Sequence, residues 1–166
     1  DWSSDVCSSD LLPAVVREGR GRSDCSIRVR MLAYSDSARW LNGESMVAEK
    51  VAYEDLEACG VSSVGMALDL LSENIRARQL VHDRPRLAIV LISDGLSSDD
   101  SPVDIETLIY HPDLSHSQRF AIAIGDDASI QKLALFATHA EAGVVQPKDA
   151  ERILGMIDWS VVRKRQ

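Results

Sequence analysis

The stretch Leu87-Ala88-Ile89-Val90-Leu91-Ile92-Ser93-Asp94-Gly95 decides which fold this sequence favours. Six apolar residues lead directly into a small hydroxyl residue, an aspartate and a glycine. An uninterrupted apolar run of this length predicts a strand buried on both faces, as in a parallel sheet covered by helices. In such sheets the functional residues lie just past the carboxyl ends of the strands. Asp94 is therefore placed to bind a cation or a charged group of a partner. The alternative is that Asp94 only closes an Asp-Gly turn.

The segments on both sides of this stretch alternate between strand and helix patterns. Strands are predicted at 27–34, 86–93, 119–125 and 143–146. Helices are predicted at 11–18, 102–110, 129–139 and 149–162, and a further helix opens within 60–65, capped by Ser62 or Ser63, and runs to about 80. A turn at 35–38, a short edge strand at 39–41 and the turn pair Asn42-Gly43 complete the prediction. This alternation predicts an α/β fold with a doubly wound, mostly parallel sheet flanked by helices.

Composition narrows the classes of function. The chain has 166 residues, enough for one domain, and a formal net charge of −8, which argues against nonspecific nucleic-acid binding. No apolar run approaches the roughly 20 residues of a membrane span. The chain has three cysteines, Cys7, Cys25 and Cys59. Their odd number and the lack of metal-ligand spacing favour reduced thiols and a cytoplasmic protein.

Enzyme motifs are absent from the sequence. Gly65 lies three residues after Ser62, whereas a nucleophile elbow needs a glycine two residues after its serine. There is neither a dinucleotide-binding glycine pattern nor a phosphate-cradling loop, and no two of the four histidines are spaced i, i+4. The sequence therefore predicts a non-enzymatic protein with no catalytic residue and no cofactor-binding motif.

Residues 1–10 resemble, residue for residue, the translation of a common short-read sequencing adapter. We therefore expect segment 1–10 to be non-native, from a metagenomic or draft assembly, and the domain to comprise residues 11–166. Segments of this kind are kept out of fold reasoning.

Three motifs give the chain a resemblance to the von Willebrand factor A (vWA) domain, above all to bacterial cytoplasmic vWA proteins of the tellurium-resistance type. Segment 58–68 (ACGVSSVGMAL) resembles the family's G-G-T-x-L-G-x-A-L, and segment 91–100 (LISDGLSSDD) resembles its L-x-T-D-G-x-P-T-D-D. Segment 120–128 (FAIAIGDDA) resembles the strand and loop that follow. The resemblance covers about residue 11 to the C-terminus and implies a Rossmann-like vWA fold.

The resemblance also implies a divalent cation, usually Mg²⁺, in a metal-ion-dependent adhesion site (MIDAS). By position, Ser62 stands for the family's threonine ligand and Asp94 for its aspartate. A protein partner would offer a carboxylate to an open position on the metal. The family's D-x-S-x-S loop and the first central strand, expected between 27–34 and 86–93, have no counterpart here. We therefore expect a weak metal site and a fragment that is unstable or that pairs those two strands directly.

Two other functions remain open at this point. One is the vWA portion of a chelatase- or ATPase-type enzyme subunit, whose catalytic module would lie upstream. The other is a metal-free scaffold, in which Asp94 is only a turn residue and Ser62 only a helix cap.

Overall fold

A three-stranded parallel sheet forms the centre of the fold. The computed structural model describes residues 13–18, 27–51, 63–79, 87–96 and 117–159. In the sheet, β5 (Ala88–Ser93) pairs with β6 (Gln118–Ala123), and β6 pairs with β7 (Val144–Val145). The register sets Ala88 opposite Gln118 and Ala121 opposite Val144. The predicted α/β architecture with a parallel sheet is confirmed.

The strand predicted to be buried on both faces is not the most buried strand. In β5 only Leu91 and Ser93 are buried and the other four residues are half-buried, whereas the last four residues of β6 are fully buried. The reason is position in the sheet. Strand β6 has neighbours on both sides, while no strand in the described part of the chain pairs with the other edge of β5.

Helices cover both faces of the sheet. On one face α2 (Val64–Gln79) and α3 (Ile130–Phe136) contribute Val64, Leu68, Leu133 and Phe136 to a core cluster with the side chains of β5 and β6. On the other face α4 (Arg152–Met156) packs Ile153 against Phe120 and Ile122. Fully burying such a side chain contributes about 1.5–3 kcal/mol, so these two layers hold the sheet in place.

The N-terminal part of the domain is an interrupted antiparallel hairpin. Strand β1 (Arg28–Val29) pairs with β4 (Met46–Val47), and β2 (Leu32–Tyr34) pairs with β3 (Ala38–Trp40). The predicted strand 27–34 is thus two short strands, and the chain reverses at 35–37, as expected. Strands β2 and β5 are not hydrogen-bonded as neighbours, so the direct pairing that we expected as one outcome does not occur.

The predicted turn pair Asn42-Gly43 lies in a run of bends at 41–44 that connects β3 with β4 and does not form a hairpin between them. It lies in a bulge at 41–45, and the Asn42 side chain bridges the gap. The Asn42 amide oxygen accepts a hydrogen bond from Met31 N–H at 2.8 Å, and its amide nitrogen donates to Val29 C=O at 3.3 Å and Glu44 C=O at 3.0 Å. The side chain thereby replaces the backbone bonds that the bulge interrupts.

Within the described residues, the remaining predicted helices and strands agree in type with the structure. Residues 13–18 are helical and form α1, α3 begins after the Ser129 cap, and the C-terminal segment contains a 3₁₀ turn (Pro147–Asp149) before α4. The predicted helix at 102–110 lies outside the described residues, as does segment 1–10. In the part of the chain described, no helix combines the length and the apolar character needed to cross a bilayer.

Candidate functional site

Asp94 lies where the sequence predicts it, directly after β5 at the carboxyl edge of the sheet. Its Oδ1 accepts a hydrogen bond from Leu96 N–H at 2.8 Å, which closes a tight turn. Within the described residues no hydrogen bond or ion pair engages Oδ2, the other carboxylate oxygen. Asp94 is therefore a turn residue, as the alternative interpretation holds, and still has one oxygen left for a ligand.

Three successive carbonyl groups at the end of β5 accept hydrogen bonds from three different elements. Ile92 C=O accepts from the Tyr34 hydroxyl at the end of β2, at 3.3 Å. Ser93 C=O accepts from Ile124 N–H just after β6, at 3.1 Å, and Asp94 C=O accepts from Ser129 N–H at the start of α3, at 2.7 Å. We call these three bonds the rim bonds, because together they fix the backbone that carries the Asp94 carboxylate.

Gly95 allows the turn after Asp94 to pack closely. Its φ of +74° lies in the left-handed region that side chains disfavour. A Cβ at this position would lie 2.9 Å from Ser129 O and 3.1 Å from Leu133 Cγ. Ser93 supports the same turn, since its buried hydroxyl accepts a hydrogen bond from Gly95 N–H at 3.0 Å. The Ser-Asp-Gly sequence is thus required by the geometry of the turn.

An open cleft of about 320 Å³ lies beside Asp94. Its walls are the turn after β5 and the loop after β6, with the residues Asp94, Leu96, Ile124, Gly125, Asp126, Asp127 and Ala128. Three of these residues are aspartates and none is basic, so the cleft has a negative potential that attracts cations.

The Tyr34 hydroxyl lies close to this acidic edge. Burial raises the pKa of the Tyr34 phenol, a hydrogen bond with the Ser93 side chain opposes that effect, and the negative charge of Asp94 adds to it. Tyr34 is therefore a neutral hydrogen-bond donor at physiological pH.

The start of α2 lies at the same edge of the fold, although Ser62 itself is outside the described residues. Ser63 N–H donates to Ser35 C=O at 3.0 Å, one residue after Tyr34. Val64 packs in the same core cluster as Leu91. The first turn of α2 and the end of β5 therefore meet the same hairpin, and the predicted pairing of Ser62 with Asp94 stays a prediction.

The described residues offer oxygen ligands for a hard cation, but few of them. In the described ranges no group of three or more His, Cys, Asp or Glu side chains is arranged to hold a metal ion. Mg²⁺ keeps several waters and is often bound through one or two carboxylates. One free carboxylate oxygen in an acidic cleft is suited to binding such a hydrated cation. It is not enough to replace all the water molecules around the ion.

Sequence reasoning missed three residues of this site. Asp126 and Asp127 line the cleft, and their position after the next parallel strand was a usable signal. Tyr34 gives no such signal, because its contact with Ile92 joins residues 58 positions apart.

Comparison with known proteins supports the fold. No family model matches the chain, and no curated protein matches it. Proximal thread matrix protein 1 from the mussel byssus superimposes with a TM-score of 0.60 at 15% identity, over 94% of this chain and 40% of that one. The ArnB paralog VWA2 from Sulfolobus acidocaldarius gives a TM-score of 0.58 at 13% identity, over 87% of this chain and 38% of that one.

A second structure of the mussel protein is described as having a zinc-occupied MIDAS motif. It superimposes with a TM-score of 0.58 at 16% identity, over 93% of this chain and 43% of that one. These neighbours are vWA-domain proteins, and this chain spans less than half the length of each. At such low identity the likeness shows the fold, which is the Rossmann-like vWA fold, and not the function.

Proposed function

We propose that this vWA-fold chain is a non-enzymatic, metal-dependent protein-interaction module, with Asp94 and Ser62 as metal ligands. The observation that carries the proposal is the Asp94 carboxylate. One oxygen fixes the turn and the other is left for a ligand at the edge of an acidic cleft. The zinc-occupied MIDAS motif of the mussel protein supports a divalent cation in a protein of this fold.

The charge of the cleft indicates the chemistry of the partner. Three aspartates without a basic neighbour in the cleft lining repel an acidic partner. A bound cation reverses that interaction, because it attracts the cleft carboxylates and an incoming carboxylate together. The proposed partner is therefore a protein that offers a carboxylate to an open position on the metal, with no role for nucleic acid or membrane.

The proposed ion is Mg²⁺, because the ligands available at the site are oxygens. Its affinity is low, since the chain offers few such ligands and water supplies the rest. Motif resemblance supports a bacterial cytoplasmic protein related to stress response or tellurium resistance.

A metal-free scaffold is the second candidate. It is favoured by the Leu96–Asp94 turn bond and by the lack of a three-ligand group in the described ranges. In that function the Asp94 carboxylate has only a structural role, which an asparagine side-chain oxygen would fulfil equally well.

Two substitutions at one position separate the candidates. Asp94→Asn keeps an acceptor for Leu96 N–H and removes the charge, whereas Asp94→Ala removes both. Calorimetry with Mg²⁺ and electron paramagnetic resonance with Mn²⁺ should show binding to the wild-type protein and at least tenfold weaker binding to both variants. Asp127→Asn, which removes a charge from the cleft without touching the turn, is the matched control and should weaken binding only slightly. No binding to the wild-type protein, or unchanged binding to Asp94→Asn, would reject the metal site.

A further inference from the structure

We infer that Tyr34 is a positioning residue for the Asp94 carboxylate, a role that rests on the proposed metal function. Tyr34 is the last residue of β2, in the hairpin, and its hydroxyl donates to Ile92 C=O, two residues before Asp94. It thereby connects the hairpin with the strand end that carries the proposed ligand.

Among the three rim bonds, the one made by Tyr34 is the only one with a side-chain donor. Ile124 and Ser129 donate through backbone N–H groups, which no ordinary substitution other than proline removes. A substitution at position 34 therefore removes the bond to Ile92 C=O, together with the hydrogen bond to the Ser93 side chain, and leaves the other two rim bonds in place.

The surroundings of Tyr34 favour a specific role for its hydroxyl group. The Tyr34 ring packs against the core cluster that contains Val64 and Leu91, so its position is fixed by packing. The hydroxyl lies near the Ser93 side chain, which supports the Gly95 turn, and near the Asp94 charge. Outer groups that orient a metal ligand raise affinity because they hold the ligand in its binding geometry before the ion arrives.

The expected effect is a loss of affinity that exceeds the loss of stability. Tyr34→Phe keeps the packed ring and removes only the hydroxyl, so the variant should remain folded. We expect its Kd for Mn²⁺ to rise roughly tenfold, as for other outer-shell substitutions at metal sites. Amide hydrogen exchange should accelerate at Leu96 and Ser129, whose N–H groups bond to Asp94.

The matched control is Asn42→Ala, in the same hairpin. Among the described residues, Asn42 bonds only to residues of the hairpin, so its loss weakens the hairpin without touching the end of β5. A purely structural effect of the hairpin would weaken Mn²⁺ binding in both variants alike. Tyr34→Leu is a second variant that lacks the hydroxyl donor. Mn²⁺ binding to each protein is measured under conditions in which its urea unfolding curve shows that it is folded.

The outcomes separate the two proposals. The role of Tyr34 is supported if the wild-type protein binds Mn²⁺, Asp94→Asn binds it at least tenfold more weakly, Tyr34→Phe also binds it more weakly, and Asn42→Ala binds it as the wild-type protein does. If the wild-type protein binds Mn²⁺ and both Tyr34→Phe and Tyr34→Leu bind it equally well, the role of Tyr34 is overturned. The metal site is then unaffected. Absence of wild-type binding rejects the metal site and the role of Tyr34 with it.

Discussion

Gly95→Ala tests whether the turn that carries Asp94 needs both of the features that glycine provides. The substitution forces a side chain into a left-handed conformation, at φ +74°. It also places a Cβ 2.9 Å from Ser129 O and 3.1 Å from Leu133 Cγ. The contact with Ser129 O is closer than real Cβ atoms make, and the contact with Leu133 Cγ is shorter than the ~3.5–4.0 Å at which carbon atoms pack favourably. Backbone strain and steric overlap therefore act together at this position.

Three other glycines separate these two effects. Gly125 has a φ of +88° and open space around it, so Gly125→Ala measures backbone strain alone, about 1–2 kcal/mol. At Gly143, which has no positive φ, a Cβ would lie 2.8 Å from Ala137 Cβ, so Gly143→Ala measures overlap alone, about 1–3 kcal/mol. Gly43 has neither feature, and Gly43→Ala should change stability by no more than about 0.5 kcal/mol.

The expected loss for Gly95→Ala is the sum of the two effects, about 2–5 kcal/mol. Such a loss is a large part of the about 5–15 kcal/mol by which most domains are stable. Urea unfolding of the four variants, followed by circular dichroism, gives the free energies of unfolding. If Gly95→Ala were no less stable than Gly125→Ala, the close approach of α3 to this turn would be wrong. If it matched Gly43→Ala, the whole description of the turn would fail.

Two further predictions concern the hairpin and its contact with the sheet. Asn42→Ala should lower the free energy of unfolding by about 1–3 kcal/mol, because Met31 N–H loses its partner and Val29 C=O loses its bond to the Asn42 side chain. Urea unfolding with no measurable loss would contradict the bridge across the bulge. The pKa of Tyr34 is raised in the folded protein, chiefly by burial, so the neutral phenol stabilises the fold. This stabilisation is complete below the ordinary phenol pKa of about 10, and it is lost as the pH rises through the pKa of Tyr34 in the folded protein. Stability measured from pH 8 to 11 should therefore fall more steeply in the wild-type protein than in Tyr34→Phe, and parallel curves would refute the raised pKa.

Much of the fold could be predicted because its signals are local. The apolar runs at 87–92 and 120–124 and the apolar stripe of Val64, Leu68, Leu71 and Ile75 indicate strand and helix without any tertiary information. The burial of β5 was overestimated for a related reason. Hydrophobicity shows that a strand belongs to a core, but it does not show whether the strand has a neighbour on each side.

The site could be predicted only in part. Asp94 follows from the rule that ligands bind at the carboxyl ends of parallel strands, and Asp126 and Asp127 could have been found by the same rule. Tyr34 could not, because its role arises from a tertiary contact between elements far apart in the chain. The turn at Asn42-Gly43 was predicted, but its place in a bulge was not, since that depends on how the strands on either side pair.

The rim bonds have a consequence for the order in which the protein folds. Each of them closes a long loop, since the donors at Tyr34, Ile124 and Ser129 are distant in sequence from the end of β5. Loop closure of this kind costs entropy before contacts repay it. The Tyr34 bond joins residues 58 positions apart, a longer separation than that between the paired residues of β5 and β6, so we expect these strands to associate before the Tyr34 bond forms and the carboxylate at their edge reaches its final position. Under mild destabilisation, ligand binding should accordingly be lost before the secondary structure melts.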